Sequence, residues 1–116
     1  NNRVTSTNDP TAHAEVVAIR DACSRLKTFQ LTDCMIYTSC EPCPMCLGAI
    51  LWARPDGIYF AGTRDDAAEA GFDDEHFYTE VCRMNGAREL PLQALMRDEA
   101  RAVFRDWIAK PDKVEY

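Results

Sequence analysis

The chain has 116 residues, of which 47% are hydrophobic and 28% charged, and this predicts one globular domain over residues 1–116. It contains no apolar run of about 18 residues and no charged-then-apolar leader, so we expect a cytoplasmic protein without a membrane-spanning helix. A net charge of −6, from 13 basic and 19 acidic side chains without a dense Lys/Arg block, makes nucleic acid an unlikely partner and favours a small-molecule substrate.

The first predicted elements are a turn, a helix and a strand. Asn8-Asp9-Pro10 is a turn signal, after which a helix should begin near His13. Its apolar residues recur at helical spacing, at Val16, Ile19, Cys23 and Leu26. The run Thr32–Thr38 is short, apolar and rich in β-favouring residues, which predicts a buried strand.

A tight loop over residues 39–44 leads to the next helix and strand. Pro44 suits the first turn of that helix. The helix continues through Met45, Leu47, Ile50 and Leu51. Pro55-Asp56-Gly57 should end it, and Ile58–Ala61 is expected to form a second buried strand.

The rest of the chain is acidic at first and amphipathic at its end. Residues 62–80 predict a short helix or an irregular segment with a loop at Gly71–Asp74, and Glu89–Gln93 predict a third strand. A terminal helix closed by Pro111 is indicated by apolar residues at Met96, Ala100, Val103, Phe104 and Trp107. Because helices and strands alternate, we expect an α/β fold, a three-layer α/β/α sandwich with buried strands covered by helices on both faces.

Six cysteines are many for a chain of this length. Cys40, Cys43 and Cys46 lie within seven residues, which favours a metal site over a disulfide framework. The other three lie in apolar stretches and are interpreted as buried thiols: Cys23, Cys34 and Cys82.

The predicted chemistry lies in His13-Ala14-Glu15 and in Pro42-Cys43-Pro44-Met45-Cys46. An H-x-E sequence followed by P-C-x-x-C is the signature of zinc-dependent deaminases. A catalytic zinc has three protein ligands and an open position for water, and His13, Cys43 and Cys46 are the candidate ligands. With two thiolates the complex is neutral and can hold the hydroxide that attacks an electron-poor ring carbon. Both cysteines should lie at a helix start, which favours thiolate over thiol.

Glu15 is the predicted proton shuttle. It would take a proton from the zinc-bound water, pass it to a ring nitrogen and later protonate the leaving amine. Positions i and i+2 do not share a helix face, so this role requires a helix that begins near His13.

Other interpretations stay open at this point. Cys40 could complete a closed structural zinc site as a fourth ligand, and a CxxC sequence alone could be a redox pair, although a redox pair would not call for His13-Ala14-Glu15. From composition alone, Asp73 and Asp74 are ordinary solvated loop acids. By the same reasoning Tyr116 is an ordinary frayed terminal residue.

Four stretches are more specific than the zinc signature: NDPTAHAEVVAIR, YTSCEPCPMCLGAILWARP, DAAEAGFDD and the closing Glu115-Tyr116. They resemble the bacterial guanine deaminases of the cytidine deaminase-like superfamily. The resemblance implies conversion of guanine to xanthine and ammonia by a zinc-bound hydroxide, in a homodimer with exchanged C-terminal segments. It also implies that Asn2 and Ala14 bind the purine, that Asp74 contacts the base and assists proton transfer, and that Tyr116 closes the pocket.

The chain differs from this family at its N-terminal end. Members of the family carry an N-terminal helix and a β-hairpin that are missing here, so we expect an N-terminally incomplete domain. Substrates of related enzymes stay open as alternatives, namely guanosine, an aminotriazine or a tRNA adenosine. A catalytically inactive zinc-binding scaffold is a further alternative, against which the intact Glu15 argues.

Overall fold

The computed structural model describes residues 1–115, and Tyr116 lies outside the described residues. The chain divides into two compact units, Asn1–Cys82 and Arg83–Tyr116. The first unit contains α1 (Val4–Thr7), α2 (Ala14–Leu26), β1 (Met35–Cys40), α3 (Pro44–Ala53), β2 (Gly57–Gly62), α4 (Arg64–Glu69) and α5 (Asp74–Cys82). The second contains α6 (Arg97–Ala109). Within the described part of the chain, no helix is both long and apolar enough to cross a membrane.

The helices α2 and α3 begin where the sequence predicts them. His13 precedes α2 in an extended conformation, with φ −61° and ψ 156°. Cys43 precedes α3 with nearly the same torsion angles, φ −61° and ψ 166°. Pro44 then takes the first position of α3, where a backbone N–H would have no partner within the helix. Two of the candidate metal ligands are therefore N-cap residues.

β1 and β2 form a parallel sheet in which Ile36 pairs with Ile58 and Tyr37 with Tyr59. α3 connects the two strands, as parallel pairing requires, and the predicted α/β class is confirmed. The predicted start of the first strand was wrong, because residues 31–34 form a turn in which the Cys34 N–H donates to the Leu31 carbonyl. β1 therefore begins at Met35 and continues to Cys40, into the predicted loop.

The strands are more exposed than predicted. Side chains along β1 alternate between exposed and half-buried, which is the pattern of a sheet with one open face. On the exposed face the rings of Tyr37 and Tyr59 stack with their centroids 5.2 Å apart. Tyr37 keeps 75% of its surface exposed and Tyr59 keeps 57%. The half-buried face of β1 includes Thr38, which contacts α2 through Glu15.

The core lies where α2 meets the start of α3. Val16 of α2 packs with Cys43 and Cys46, and each of the three is at most 7% exposed. Further along α3, Ile50 and Ala53 are also buried. Two candidate metal ligands are therefore part of the most buried region of this unit, where close packing restricts their side chains.

Residues 62–80 are more regular than predicted, since they form α4 and most of α5. α4 begins with a capping box, in which Asp66 N–H donates to Thr63 Oγ1 and Thr63 N–H donates to Asp66 Oδ2. The predicted loop ends earlier than expected: Gly71 has φ 87°, and Asp74 is already the first residue of α5. Asp74 thus belongs to a helix start and not to a loop.

Two further predictions were wrong, one for a third strand and one for three buried cysteines. Glu89–Gln93 form no strand, and Pro91 within that run lacks the N–H that a central strand needs. Cys82 is exposed, and Cys23 and Cys34 are only half-buried, so none of the three is a core thiol. The terminal helix is confirmed as α6, which ends at Ala109 shortly before Pro111.

Candidate active site

The three predicted metal ligands come together at the two helix starts. The ligand atoms of His13, Cys43 and Cys46 all lie within 4.8 Å of one another. His13 Nδ1 and Cys43 Sγ are 3.7 Å apart. Both cysteines are buried and the histidine is half-buried. Among residues 1–115, this group includes no fourth His, Cys, Asp or Glu.

The spacing of these atoms fits a tetrahedral zinc. Zinc binds thiolate sulfur at about 2.3 Å and imidazole nitrogen at about 2.0 Å, so neighbouring ligand atoms in a tetrahedron lie roughly 3.5–3.8 Å apart. The distance of 3.7 Å between His13 Nδ1 and Cys43 Sγ falls within that range. One imidazole and two thiols are also donors that zinc prefers. The group therefore fits zinc in the chemistry of its donors and in the distance between His13 and Cys43.

The surroundings of the two cysteines favour a thiolate at Cys43. Its pKa is lowered to about 6, first because the Cys46 thiol donates a hydrogen bond to its sulfur. The backbone N–H groups of Cys46 and Met45 and the nearby His13 lower it further, against the opposing effect of burial. The pKa of Cys46 is raised, chiefly by its hydrogen bond to Cys43, then by burial and by the charge on Cys43. A sulfur that is anionic near neutral pH is prepared to bind a cation.

Cys40 does not join the metal-binding group. Its sulfur lies 3.9 Å from the carbonyl oxygen of Thr63, which follows β2. Burial raises the pKa of Cys40, and the neighbouring carboxylates of Asp74, Glu15 and Glu41 raise it further. A thiol that stays protonated and contacts a carbonyl group is a poor metal ligand. The geometry therefore disfavours a closed site with Cys40 as the fourth ligand.

Glu15 lies beside the metal-binding group in the first turn of α2. Its Oε2 atom is 3.5 Å from Cys46 Sγ. Its Oε1 atom accepts a hydrogen bond of 2.7 Å from Thr38 Oγ1. Because His13 precedes the helix and Glu15 is its second residue, both side chains reach the same region despite the two-residue offset. The requirement that the helix begin near His13 is met.

A cavity of about 450 Å³ adjoins the metal-binding group. His13 and Cys43 form part of its wall, together with Asp74 at the start of α5. The remaining lining is apolar and consists of Pro10, Pro44, Met45, Phe77 and Val81. A mostly apolar cavity with a few polar groups is typical of a binding site for a small molecule.

The sequence reasoning missed Phe77 and Val81. They follow Asp74 by three and seven residues, so all three side chains share one face of α5. This spacing would have identified them if a helix had been predicted to begin at Asp74. The preceding Gly71 and the acidic pair favoured a loop instead.

Tyr78 connects α5 to the loop that carries the metal ligands. Its hydroxyl donates a hydrogen bond to the carbonyl oxygen of Pro42, the residue before Cys43. Burial raises the pKa of Tyr78, so the hydroxyl stays a donor at neutral pH. The guanidinium of Arg64 lies 5.1 Å from the ring centroid of Tyr78, and the backbone N–H of Arg64 donates to Glu41 Oε2. These contacts hold the start of α5 beside the metal-binding group.

Asn2 belongs to an exposed segment near the start of α2. Its side-chain oxygen accepts a hydrogen bond of 2.9 Å from the Val4 N–H. The Arg3 N–H donates to the carbonyl oxygen of Ala12, the residue before His13, at 2.9 Å. The Asn2 segment therefore runs beside the site, although Asn2 is not among the residues that line the cavity.

Of the remaining residues considered from the sequence, Ala14 lies next to the metal-binding group, and Asp73 does not belong to the described site. Ala14 is the first residue of α2 and is half-buried next to His13. Asp73 is exposed, in contrast to the half-buried Asp74. Tyr116 lies outside the part of the chain that the structure describes.

Known proteins match this chain over the region of the metal-binding group and, in some cases, over nearly its whole length. The model of the cytidine and deoxycytidylate deaminase zinc-binding region matches residues 1–62. Guanine deaminase of Bacillus subtilis (strain 168) is 52% identical over 115 residues, which are 99% of this chain and 74% of that protein. A tRNA-specific adenosine deaminase of Aquifex aeolicus is 45% identical over 60 residues, 52% of this chain and 40% of that protein.

Solved structures also match the chain over nearly its whole length. The X-ray structure of guanine deaminase from Bacillus subtilis matches with a TM-score of 0.94, over 99% of this chain and 73% of that one. A guanine deaminase structure from Nitrosomonas europaea matches with a TM-score of 0.63 at 31% identity, over 95% of this chain and 64% of that one. The expected cytidine deaminase-like fold and the zinc cofactor are thereby confirmed. By its matched zinc-binding region, its fold and its identity to relatives along nearly its whole length, the chain belongs to the cytidine and deoxycytidylate deaminase family.

Proposed function

We propose that this protein is an aminohydrolase that converts guanine and water to xanthine and ammonia. One observation carries the proposal: a zinc-type ligand group, a glutamate and an apolar cavity meet in a chain that is 52% identical to a guanine deaminase over 99% of its length. Each of these features has a separate task in the reaction.

His13, Cys43 and Cys46 would hold the zinc through one imidazole nitrogen and two thiolate sulfurs. Bound zinc lowers the pKa of a water molecule, so that a nucleophile is available near neutral pH for attack on the ring carbon that carries the amino group. The two cysteines are buried beside Val16, which keeps the ligand sulfurs in place and away from bulk water. Binding and orienting the base, and moving its protons, are tasks for the other side chains.

Glu15 is the proton carrier in this proposal. It accepts the proton that the attacking water loses and passes it to the adjacent ring nitrogen. It then takes the remaining proton of the added hydroxyl and gives it to the amino group as ammonia departs. The observed contacts support this role, since Oε1 is occupied by Thr38 while Oε2 lies 3.5 Å from the sulfur of a ligand residue. A carboxylate in this position reaches the reacting atoms without binding the metal.

Asp74 is proposed to contact the base and to assist proton transfer at its amino group. It is half-buried in the wall of the cavity, whereas its neighbour Asp73 is exposed. A carboxylate is an acceptor, and the edge of guanine that carries the amino group offers N–H donors. Asn2 and Ala14 are proposed as further contacts to the purine, Asn2 through its carboxamide.

Phe77 and Val81 supply the apolar part of the binding site. They continue the α5 face that begins with Asp74, and both line the cavity. A flat purine buries its ring faces against such side chains, while its polar edge meets Asp74. A helix face with one carboxylate followed by two apolar residues therefore offers one partner for the amino-bearing edge of the base and two for its ring faces.

The resemblance to guanine deaminases also leads us to propose a homodimer in which C-terminal segments are exchanged. In that arrangement Tyr116 would close the pocket of the partner subunit, in a cytoplasmic enzyme of purine metabolism. α6 supports a partner role, since Val103, Phe104 and Ile108 each keep about two thirds of their surface exposed. Removal of residues 113–116 should raise KM for guanine and lower kcat, without changing zinc content. Unaltered kinetics after this truncation would rule out a role for Tyr116 in the pocket.

A substrate panel tests the proposed function against its alternatives. Ammonia release is measured from guanine, guanosine, adenosine and cytidine, with the zinc-loaded protein and with Glu15→Gln as the inactive control. We expect release from guanine, coupled to the appearance of xanthine, at a kcat/KM far above that for the nucleosides. A tRNA-specific adenosine deaminase would instead act on the adenosine of an anticodon-loop RNA, and an inactive scaffold would release no ammonia from any substrate. Either result would refute guanine deamination.

A further inference from the structure

Glu15 is held in place by a residue that lies far from it in the sequence. Thr38 of β1 donates a hydrogen bond of 2.7 Å from Oγ1 to Oε1 of Glu15, across a separation of 23 residues. The contact is partly buried, and it joins the strand to the start of α2. A glutamate at a helix start otherwise has three side-chain torsions about which its carboxylate can rotate.

From this contact we propose that Thr38 is a positioning residue that orients Glu15 for proton transfer. The inference rests on the proposed function and adds a residue to it. Thr38 belongs neither to the metal-binding group nor to the cavity wall. Its hydroxyl holds Oε1, and the shared plane of the carboxylate then directs Oε2 toward the ligand group.

Thr38 is well suited to hold another side chain. Its backbone is paired with Phe60 in the parallel sheet, so its Cα position is fixed by the strand pairing. Its β-branched side chain has few rotamers, which keeps the hydroxyl in one direction. The other oxygen of Glu15 lies 3.5 Å from Cys46 Sγ, so a rigid contact at Oε1 sets the distance between Oε2 and the reacting atoms.

Valine replaces threonine with nearly the same shape but without the hydroxyl donor, and serine keeps the donor. With the zinc-loaded protein and guanine, Thr38→Val should lower kcat roughly 10- to 100-fold, the effect of a small misplacement of a catalytic group. KM should change less than about 3-fold, because ground-state binding does not use this contact. Thr38→Ser should recover most of kcat.

Ser39→Ala is the matched control. It removes a hydroxyl from the next position of β1, where the side chain lies on the exposed face of the strand. Its kcat and KM should equal those of the parent protein, and all three variants should bind zinc equally. A Thr38→Val protein with unchanged kcat would overturn the inference. So would a Thr38→Ser protein as slow as Thr38→Val, or a Ser39→Ala protein with the same defect.

A double-mutant cycle separates positioning from a general structural effect. If Thr38 acts through Glu15, adding Thr38→Val to Glu15→Gln should leave the residual rate of Glu15→Gln unchanged within about 2-fold. Fully additive losses in kcat would show that Thr38 acts independently of Glu15 and would overturn the inference.

A crystal structure of each zinc-loaded protein provides a readout that does not depend on the substrate. The Glu15 carboxylate should occupy one orientation in the parent protein and another, or several, in Thr38→Val. The same single orientation in both proteins would overturn the positioning role. If the parent protein binds zinc but does not release ammonia from guanine, the proposed function fails, whereas this structural comparison still decides the role of Thr38.

Discussion

His13 Nδ1 and Cys43 Sγ lie 3.7 Å apart although 30 residues separate them in the chain. Both residues are N-caps with nearly equal torsion angles, one before α2 and the other before α3. Two helix starts thus face each other, and each presents a side chain to the same point. The positive ends of both helix dipoles meet there, which favours thiolate sulfur as a ligand.

The first prediction concerns the metal and its ligands. Each chain should bind one zinc, measured by inductively coupled plasma mass spectrometry after dialysis. Cys43→Ser should reduce the zinc content well below one per chain, because serine is a much weaker zinc ligand than thiolate sulfur. Cys40→Ser is the control and should retain the metal, since the Cys40 sulfur contacts the Thr63 carbonyl. Loss of zinc from Cys40→Ser would instead support a closed site in which Cys40 is the fourth ligand.

Substitution of Asp74 should lower turnover, whereas substitution of its neighbour Asp73 should not. Asp74→Asn should lower kcat/KM for guanine roughly 10- to 100-fold, because a carboxamide is a much weaker proton acceptor than a carboxylate. Asp73→Asn is the matched control, and steady-state kinetics should find it close to the parent protein because Asp73 is exposed. Equal defects in both variants would mean that a general change at the start of α5, and not loss of the Asp74 carboxylate, is responsible.

Phe77 should contribute to binding of the base and not to the chemical step. Phe77→Ala should raise KM for guanine about 5-fold with little change in kcat, since a half-exposed phenylalanine contributes about 1 kcal/mol of apolar contact. Phe29→Ala is a suitable control, because Phe29 is 54% exposed, similar to the 50% of Phe77, but does not line the cavity. A fall in kcat with unchanged KM would contradict the binding role.

Tyr78 should stabilise the unit that contains the site. Tyr78→Phe removes the hydrogen bond to the Pro42 carbonyl, and we expect the free energy of unfolding to fall by about 1 kcal/mol in urea denaturation. Tyr59→Phe loses an exposed hydroxyl while keeping its stacked ring, and should change stability by less than about 0.5 kcal/mol. If the two variants have the same stability, the Tyr78 contact contributes nothing measurable.

The position of each ligand on its own helix could be predicted from the sequence because helix capping is local. His13 and Cys43 each follow a proline-containing or turn-forming segment that starts a helix, so their positions relative to α2 and α3 follow from helix capping alone. Cys46 follows from the three-residue spacing within α3. The remaining step, that the two helix starts meet, came from the known signature and not from the residues themselves.

Features that depend on contacts between distant segments could not be predicted in this way. Thr38 looks like any strand threonine until Glu15 is placed next to it, and Tyr78 looks like a surface aromatic until Pro42 is nearby. The burial of the strands was overestimated because an apolar strand is equally compatible with an open sheet face. That residues 1–116 form one domain stays a prediction. The catalytic and substrate-binding roles assigned to individual side chains also stay predictions, namely those of Glu15, Asp74, Asn2, Ala14 and Tyr116.

The role of Glu15 is tested most directly by zinc content and turnover measured on the same Glu15→Gln preparation. Because Glu15 contacts a ligand residue without belonging to the ligand group, the variant should retain one zinc per chain and the parent melting temperature. Its kcat for guanine should fall by about 10⁴-fold or more, since one carboxylate serves several proton transfers. Loss of zinc together with activity would make Glu15 a structural part of the metal site. Turnover close to that of the parent protein would show that Glu15 is not the proton carrier.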